Sequence, residues 1–239
     1  MTVGGITGII LAGGMSRRMG RNKALLDLGG RPMIAVIVER LQTLADEIII
    51  VADDRELYAP FAEKRVADVF AGVGTLGGVH AGLQAATYDL GVVVGCDMPF
   101  LNPQVLAWFI EAAEEADAVV LQQGAWLEPL HAVYRRCCLP VIELAIRAGE
   151  RRAYAICDEL RVRYVAPAEI THLDPDLRSF RNVNTPEEWQ MVTSRAVLTN
   201  AAGQEAEGKH VEGLTRRPPP SWVTDRRTAH SCRPNGRPG

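Results

Sequence analysis

Two apolar runs flanking one amphipathic segment constrain the fold of this chain more than any other feature. Ile6 to Leu11, broken by Gly8, reads as a buried strand, and Ile48-Ile49-Ile50-Val51 is a second, β-branched one. Between them, Met33, Ile34, Ile37, Val38, Leu41 and Leu44 recur at helical spacing after Gly29-Gly30-Arg31-Pro32, and Pro32 suits a first helical turn. Strand, helix, strand over this distance is a βαβ unit, which requires parallel pairing and a right-handed crossover.

The rest of the chain continues the alternation. Residues 52 to 65 read as irregular or weakly helical, Arg65 to Val69 as a short strand carrying Asp68, and the stretch after Gly72–Gly78 as a helix to about Tyr88. Gly91 to Gly95 is apolar throughout, as expected of a strand covered on both faces, and ends in Cys96-Asp97-Met98-Pro99. Asn102-Pro103 caps and starts a helix burying Val105, Leu106, Phe109, Ile110 and Ala113. Strands are expected at Ala118–Gln122, Leu130–Tyr134 and Val162–Val165, with helices at Leu139–Ala148 and Arg152–Glu159 and a short edge at Phe180–Val183. Thr185-Pro186-Glu187-Glu188 has the form of a helix start, with a cap, a first-position proline and a glutamate three residues after the cap. The fold class is therefore α/β, a three-layer Rossmann-like arrangement of a mostly parallel sheet with helices on both faces. Residues 1–199 form the expected domain; residues 200–239, rich in proline, glycine and arginine, are expected to be a disordered tail.

The loop after the first strand is the chemically loaded one. Leu11 to Lys23 reads LAGGMSRRMGRNK, with Gly13, Gly14 and Gly20 interleaved with Arg17, Arg18, Arg21 and Lys23. Glycines let main-chain N–H groups approach an anion closely and the cations oppose its charge, so a polyphosphate is the ligand class this loop suits. A net charge of −3 over 239 residues argues against a protein built to bind nucleic acid. Five cysteines without a C-x-x-C spacing fit reduced thiols, and no apolar run reaches membrane-spanning length, so the expectation is cytoplasmic with no membrane contact. His210, His230 and Cys232 lack a metal-binding spacing.

In open parallel sheets, ligands sit beyond the carboxyl ends of the strands. The basic loop, Asp68 with its glycine loop, and Asp97 should meet there. Asp97, at a buried strand's end beside a phosphate-binding loop, suits Mg²⁺, which takes one or two protein carboxylates plus phosphate oxygens and waters. The basic loop is not the G-x-x-x-x-G-K-[ST] element, because five residues separate Gly14 from Gly20 and Arg21-Asn22 follows. Gly72 to Gly77 does match G-x-G-x-x-G, but it follows a poor strand and is not the first βα turn.

LAGGMSRRMGRNK resembles the opening signature of nucleotidyltransferases, and the further segments VADVF, GTLGG, GCDMPFLNP, EPLHAVYR and FRNVNTPEEW follow in the order of the molybdenum cofactor guanylyltransferases. The resemblance covers roughly residues 6 to 190 and implies a nucleotide-diphospho-sugar transferase-like fold. It implies that Leu11, Ala12, Gly13 and Gly14 hold a guanine nucleotide through main-chain contacts and that Arg18 and Lys23 bind its triphosphate. Asp97 then coordinates Mg²⁺ as the catalytic metal ligand, Asp68 is the nucleotide-binding aspartate, and Asn182 and Asn184 face the molybdopterin acceptor, with loop and cap bonding as their alternative. The implied partners are GTP and molybdenum-molybdopterin, with transient contact to cofactor-delivery or molybdoenzyme proteins. Gly13-Gly14 and Gly74–Gly78 favour guanine in this resemblance, while Thr75 replaces a usual proline and Ala52 stands where some members have a nucleotide-binding asparagine. Two alternatives stay open: a nucleotidyltransferase with another base or acceptor (cytidylyl-molybdopterin, cobinamide phosphate or phospholactate type), and a non-catalytic nucleotide-binding regulator.

Overall fold

The structure, a computed structural model, describes residues 4–13, 22–70, 72–184 and 188–190. Seven strands form one sheet in the order β3-β2-β1-β4-β6-β5-β7: β1 Ile6–Leu11, β2 Glu47–Val51, β3 Lys64–Val66, β4 Leu90–Gly95, β5 Ala118–Gln123, β6 Trp126–Arg135 and β7 Val162–Val165. β1 pairs in parallel with both β2 and β4, and β2 with β3, while β6 runs antiparallel between β4 and β5. The crossover between β1 and β2 is α1 (Met33–Gln42), as the apolar spacing predicts, and Pro32 sits one residue ahead of it rather than inside its first turn. α2 (Thr75–Ala85) leads from β3 to β4, α3 (Pro103–Ala112) from β4 to β5, α4 (Leu139–Arg147) follows β6, and the single turn α5 (Pro167–Ile170) follows β7.

Alternation along the strands divides the interior into two cores. Ile10, Ile50, Val92 and Val94 face one way, against Met33, Ile37 and Leu41 of α1 and Leu106 and Phe109 of α3. Ile9, Ile49 and Val93 face the other way, against Leu76, Val79 and Leu83 of α2 and Ile142 and Ile146 of α4. β4 is fully buried along its length, each of its valines contributing roughly 1.5–3 kcal/mol relative to exposure. The helices therefore cover both faces, and the carboxyl ends of β1 and β4 are left side by side.

Four expectations change in detail. The strand expected at Arg65–Val69 stops at Val66, because the Asp68 carboxylate accepts the Phe70 N–H at 2.9 Å and curls the chain into a turn. Asp68 thus stands beyond the strand rather than in it. The glycine segment is not a loop throughout: Gly74 caps α2 at φ 78°, and Gly77 and Gly78 lie in the helix itself. Arg152–Glu159 forms 3₁₀ turns from Ala153 instead of an α-helix. Phe180–Val183 adds no edge strand. Asp174 accepts from the Arg178 and Ser179 N–H groups at 2.9 Å each and winds this segment into a 3₁₀ turn, Arg178–Phe180. The expected helix cap at Thr185 lies outside the described residues, as does the tail from 200; residues 188–190 are helical, and Glu188 Oε2 accepts from the Asn184 N–H at 2.6 Å. Among the described residues, no helix is long and apolar enough to cross a membrane.

Candidate active site

β1 ends in Leu11, and the two residues after it are held by the neighbouring strand ends. The Ala12 N–H donates to Val51 O at 2.9 Å, and the Cys96 N–H donates to Leu11 O at 3.1 Å. The ends of β1, β2 and β4 are therefore in register around Ala12. Asp97 follows two residues after β4, on a loop pinned from α1: the Arg40 guanidinium donates to Pro99 O at 2.9 Å and Leu101 O at 2.8 Å. Gly95 leaves room for the carboxylate, since a Cβ there would lie 2.8 Å from Asp97 Oδ1.

Lys23 arrives at the same place from the far end of the basic segment. It opens a 3₁₀ turn, Lys23–Leu25, capped by Asn22, whose Oδ1 accepts the Ala24 N–H at 3.0 Å. Its Nζ donates to Asn184 Oδ1 at 2.8 Å and lies 3.8 Å from Asp97 Oδ2. The side chain is only 17% exposed, so Lys23 is not the freely solvated cation that its place in a basic loop suggests. Val183, the neighbour of Asn184, donates its N–H to Asp97 O at 2.9 Å, which locks the asparagine segment onto the β4 end. Three sequence-derived candidates, Lys23, Asp97 and Asn184, thus form one cluster. Burial and the adjacent Asp97 carboxylate push the Cys96 thiol up to about 12, with Lys23 acting against them, so the thiol stays protonated and uncharged.

Asp68 belongs to a second group, built on α2. A Cβ on Gly77 would fall 2.3 Å from Asp68 Oδ2, and one on Gly78 would touch the Leu11 side chain at 3.3 Å. The two glycines let the first turns of α2 lie between Asp68 and the β1 end. Burial raises the Asp68 carboxyl above its ordinary value; the Phe70 N–H and His80 act against this and Asp53 with it. His80, buried on the same helix, packs edge-on to Phe70 with ring centroids 4.9 Å apart, and its Nε2 lies 3.2 Å from Glu143 Oε1. The N-terminus of α2 is held by a separate segment: the Leu76 N–H and the Thr75 hydroxyl donate to Arg151 O at 3.1 and 3.4 Å. Thr75 therefore uses the hydroxyl that proline would lack. Ala52 is buried at the end of β2, with its N–H on Val66 O at 2.9 Å, and offers no side-chain donor to a base.

Asn182 is partly exposed, but its Oδ1 is buried without a hydrogen-bond partner. Gly13 is exposed at the mouth of the site, while Gly14 and Arg18 lie outside the described residues. Two participants were not singled out by the sequence. Asn22 lies in the basic segment without an assigned role, and Tyr58, whose hydroxyl accepts from Asn22 Nδ2 at 2.8 Å and donates to Ala12 O at 3.3 Å, sits in a segment read only as irregular or weakly helical.

A mostly parallel sheet with a glycine-rich helix start, a lysine and a carboxylate gathered at adjacent strand ends is the arrangement of a nucleotide-binding α/β enzyme. Comparison with known proteins makes the class specific. The family model described as the MobA-like NTP transferase domain matches residues 8–164, and the chain belongs to that family of nucleotidyltransferases. It is similar to the molybdenum cofactor guanylyltransferase of Desulfosudis oleivorans, with 40% identity over 185 residues covering 77% of this chain and 92% of that protein. A probable molybdenum cofactor guanylyltransferase of Peptoclostridium acidaminophilum is 36% identical over 75% of this chain and 85% of its own. Among solved structures, the molybdopterin-guanine dinucleotide biosynthesis protein A of Archaeoglobus fulgidus superposes with a TM-score of 0.70 at 28% identity, over 79% of this chain and 97% of that one.

Proposed function

We propose that this enzyme transfers GMP from GTP to the terminal phosphate of molybdenum-molybdopterin, releasing pyrophosphate. The observation that carries the reading is the convergence of Lys23 Nζ on Asn184 Oδ1 and Asp97 Oδ2 at the end of β4, beside the glycine-bearing exit of β1. A cation held by an asparagine and a carboxylate, rather than left in solvent, is positioned to meet phosphate oxygens. The family membership and the names of the relatives support the same reaction.

In this reading an oxygen of the acceptor phosphate attacks the α-phosphorus of GTP in line. The new bond joins that oxygen to the α-phosphorus, and the bond to the bridging oxygen of the β-phosphate breaks. The acceptor is already anionic, so no strong general base is required, and the protein's contribution is positioning and charge neutralisation. Lys23 and Arg18 neutralise the triphosphate. Leu11, Ala12, Gly13 and Gly14 hold the guanine nucleotide with their main chain, Asp68 binds the nucleotide, and Asn182 and Asn184 face the acceptor.

The residues present fit Mg²⁺. Among the described residues no cluster of three or more His, Cys, Asp or Glu could hold a metal by itself, and a single carboxylate beside a polyphosphate is the donor set that magnesium uses. Asp97 would hold the ion, which when bound neutralises phosphate charge. The reaction is set in the cytoplasm, in keeping with four free cysteines among the described residues. Pyrophosphate release from GTP, CTP, ATP and UTP, each with Mg²⁺ and molybdenum-molybdopterin, tests the reading. GTP should be preferred by tenfold or more, on the order of a single base-specific contact; preference for CTP would assign the enzyme to another base.

A further inference from the structure

Lys23 is set in place by a short relay that begins outside the basic segment. Tyr58 closes a 3₁₀ turn, Glu56–Tyr58, and is 1% exposed, packed in the core that also holds Ala12, Ala24 and Met33. Its hydroxyl makes two hydrogen bonds. It donates to Ala12 O at 3.3 Å, where β1 has just ended, and accepts from Asn22 Nδ2 at 2.8 Å, where the chain returns to the site. The amide of Asn22 is thereby committed at both ends, since its Oδ1 already accepts the Ala24 N–H at 3.0 Å. An amide fixed at both its nitrogen and its oxygen cannot flip or swing. The turn that it caps begins at Lys23, and Ala24 beside it is completely buried.

We propose that Tyr58 is a positioning residue: its hydroxyl fixes the Asn22 amide, and through that cap it sets Lys23 against Asp97 and Asn184 for the transfer reaction proposed above. Tyr58 touches neither phosphate nor acceptor in this role. Burial raises its phenol above the ordinary value, with the Asn22 bond acting against this and Cys96 and Asp54 with it, so the hydroxyl keeps the proton it donates to Ala12 across the working pH range. Tyrosine is required for the oxygen alone; phenylalanine fills the same space and leaves Asn22 Nδ2 and Ala12 O without their partner.

The experiment measures lysine reactivity and turnover side by side. Competitive acetylation with acetic anhydride, read residue by residue by mass spectrometry, compares Lys23 with Lys64, which is paired to Glu47 at 2.7 Å on the edge strand and serves as the internal control. In Tyr58→Phe, Lys23 should label about fivefold faster while Lys64 is unchanged, since a freed side chain loses only the bonds that held it. Turnover of guanylyl transfer should fall about tenfold with little change in KM for GTP, the size of one lost buried hydrogen bond. Asn22→Ala cuts the relay without disturbing the buried ring and should reproduce both effects, also in the event that Tyr58→Phe folds poorly. In a Lys23→Ala background, Tyr58→Phe should cost no further turnover. Unchanged Lys23 labelling in Tyr58→Phe and Asn22→Ala, or equal acceleration at Lys64, would overturn the relay whatever the reaction is. Absence of guanylyl transfer by the parent protein would overturn the proposed function instead, with the labelling still deciding the relay.

Discussion

At the scale of single residues, the site is a balance of charges fixed by hydrogen bonds rather than by burial. Lys23→Ala removes the cation from the Asp97–Asn184 cluster and should lower turnover by about 100-fold or more, as does loss of an electrostatic stabiliser in other transfer enzymes. Its melting temperature should stay within a few degrees, because the lost contacts are polar and near the surface; differential scanning fluorimetry beside the rate assay checks both. Lys23 and Asp97 were legible in the sequence, since a lysine ending a glycine-arginine loop and an aspartate ending an apolar strand stand out in any reading. The bond that sets the lysine was not, because Asn184 lies 161 residues further on and only the fold brings it there. His131 shows the other kind of residue that a sequence hides. It is fully buried beside Phe180, with ring centroids 4.2 Å apart, and burial depresses it to about 4, with the Ser179 main chain and Asp174 pulling the other way. Below its unfolded value of 6.5 the unfolded chain binds a proton that the folded one refuses, so stability falls as pH drops from 6.5 towards 4, by about 3 kcal/mol in all. Urea unfolding of His131→Phe should show this slope largely removed.

At the scale of elements, α2 does most to shape the site. Gly77 and Gly78 stand out in the sequence as part of a glycine-rich segment, but the reason for each glycine of the helix becomes visible only in the packing. A Cβ on Gly82 would lie 2.3 Å from Ile9 Cγ2, inside the core between α2 and β1. Gly82→Ala should therefore cost about 1–3 kcal/mol through overpacking and lower the melting temperature, with turnover of the folded fraction little changed. Gly77→Ala meets the Asp68 carboxylate instead, which can swing aside. Its stability should hardly move while KM for GTP rises several-fold, and steady-state kinetics beside a thermal melt separates the two glycines. Strand β6 illustrates a different limit. Leu130–Tyr134 was readable, but the strand begins at Trp126, because Pro129, which has no N–H to give, and the bulge between Val119 and Leu121 of its partner obscure the first half. The βαβ start, by contrast, is fully expressed in apolar spacing, which is why β1, α1 and β2 fall almost where the sequence puts them.

At the scale of the whole molecule, the sheet is a platform that brings the ends of β1, β2 and β4 to one place and leaves chemistry to the segments beyond them. Acid should loosen this platform in a second step. Although burial acts to raise it, Glu47 is held down to about 2 by Lys64, the Thr87 N–H and the hydroxyls of Thr7 and Thr87. Its folded value is below the unfolded 4.5, so its contribution is complete above pH 4.5 and is lost as pH falls towards 2. That loss should persist in His131→Phe and disappear in Glu47→Gln. Residues 200–239 have the composition of a chain that adds no core, so truncation after residue 199 should leave melting temperature and turnover unchanged. The identity of the pterin product decides the reaction. The purified full chain is incubated with GTP, Mg²⁺ and molybdenum-molybdopterin, and the pterin product is resolved by chromatography and mass. Stoichiometric formation of the guanine dinucleotide with pyrophosphate is expected, slowed about 100-fold or more in Lys23→Ala; unreacted molybdopterin, or a dinucleotide formed only when CTP replaces GTP, would contradict the guanylyl transfer.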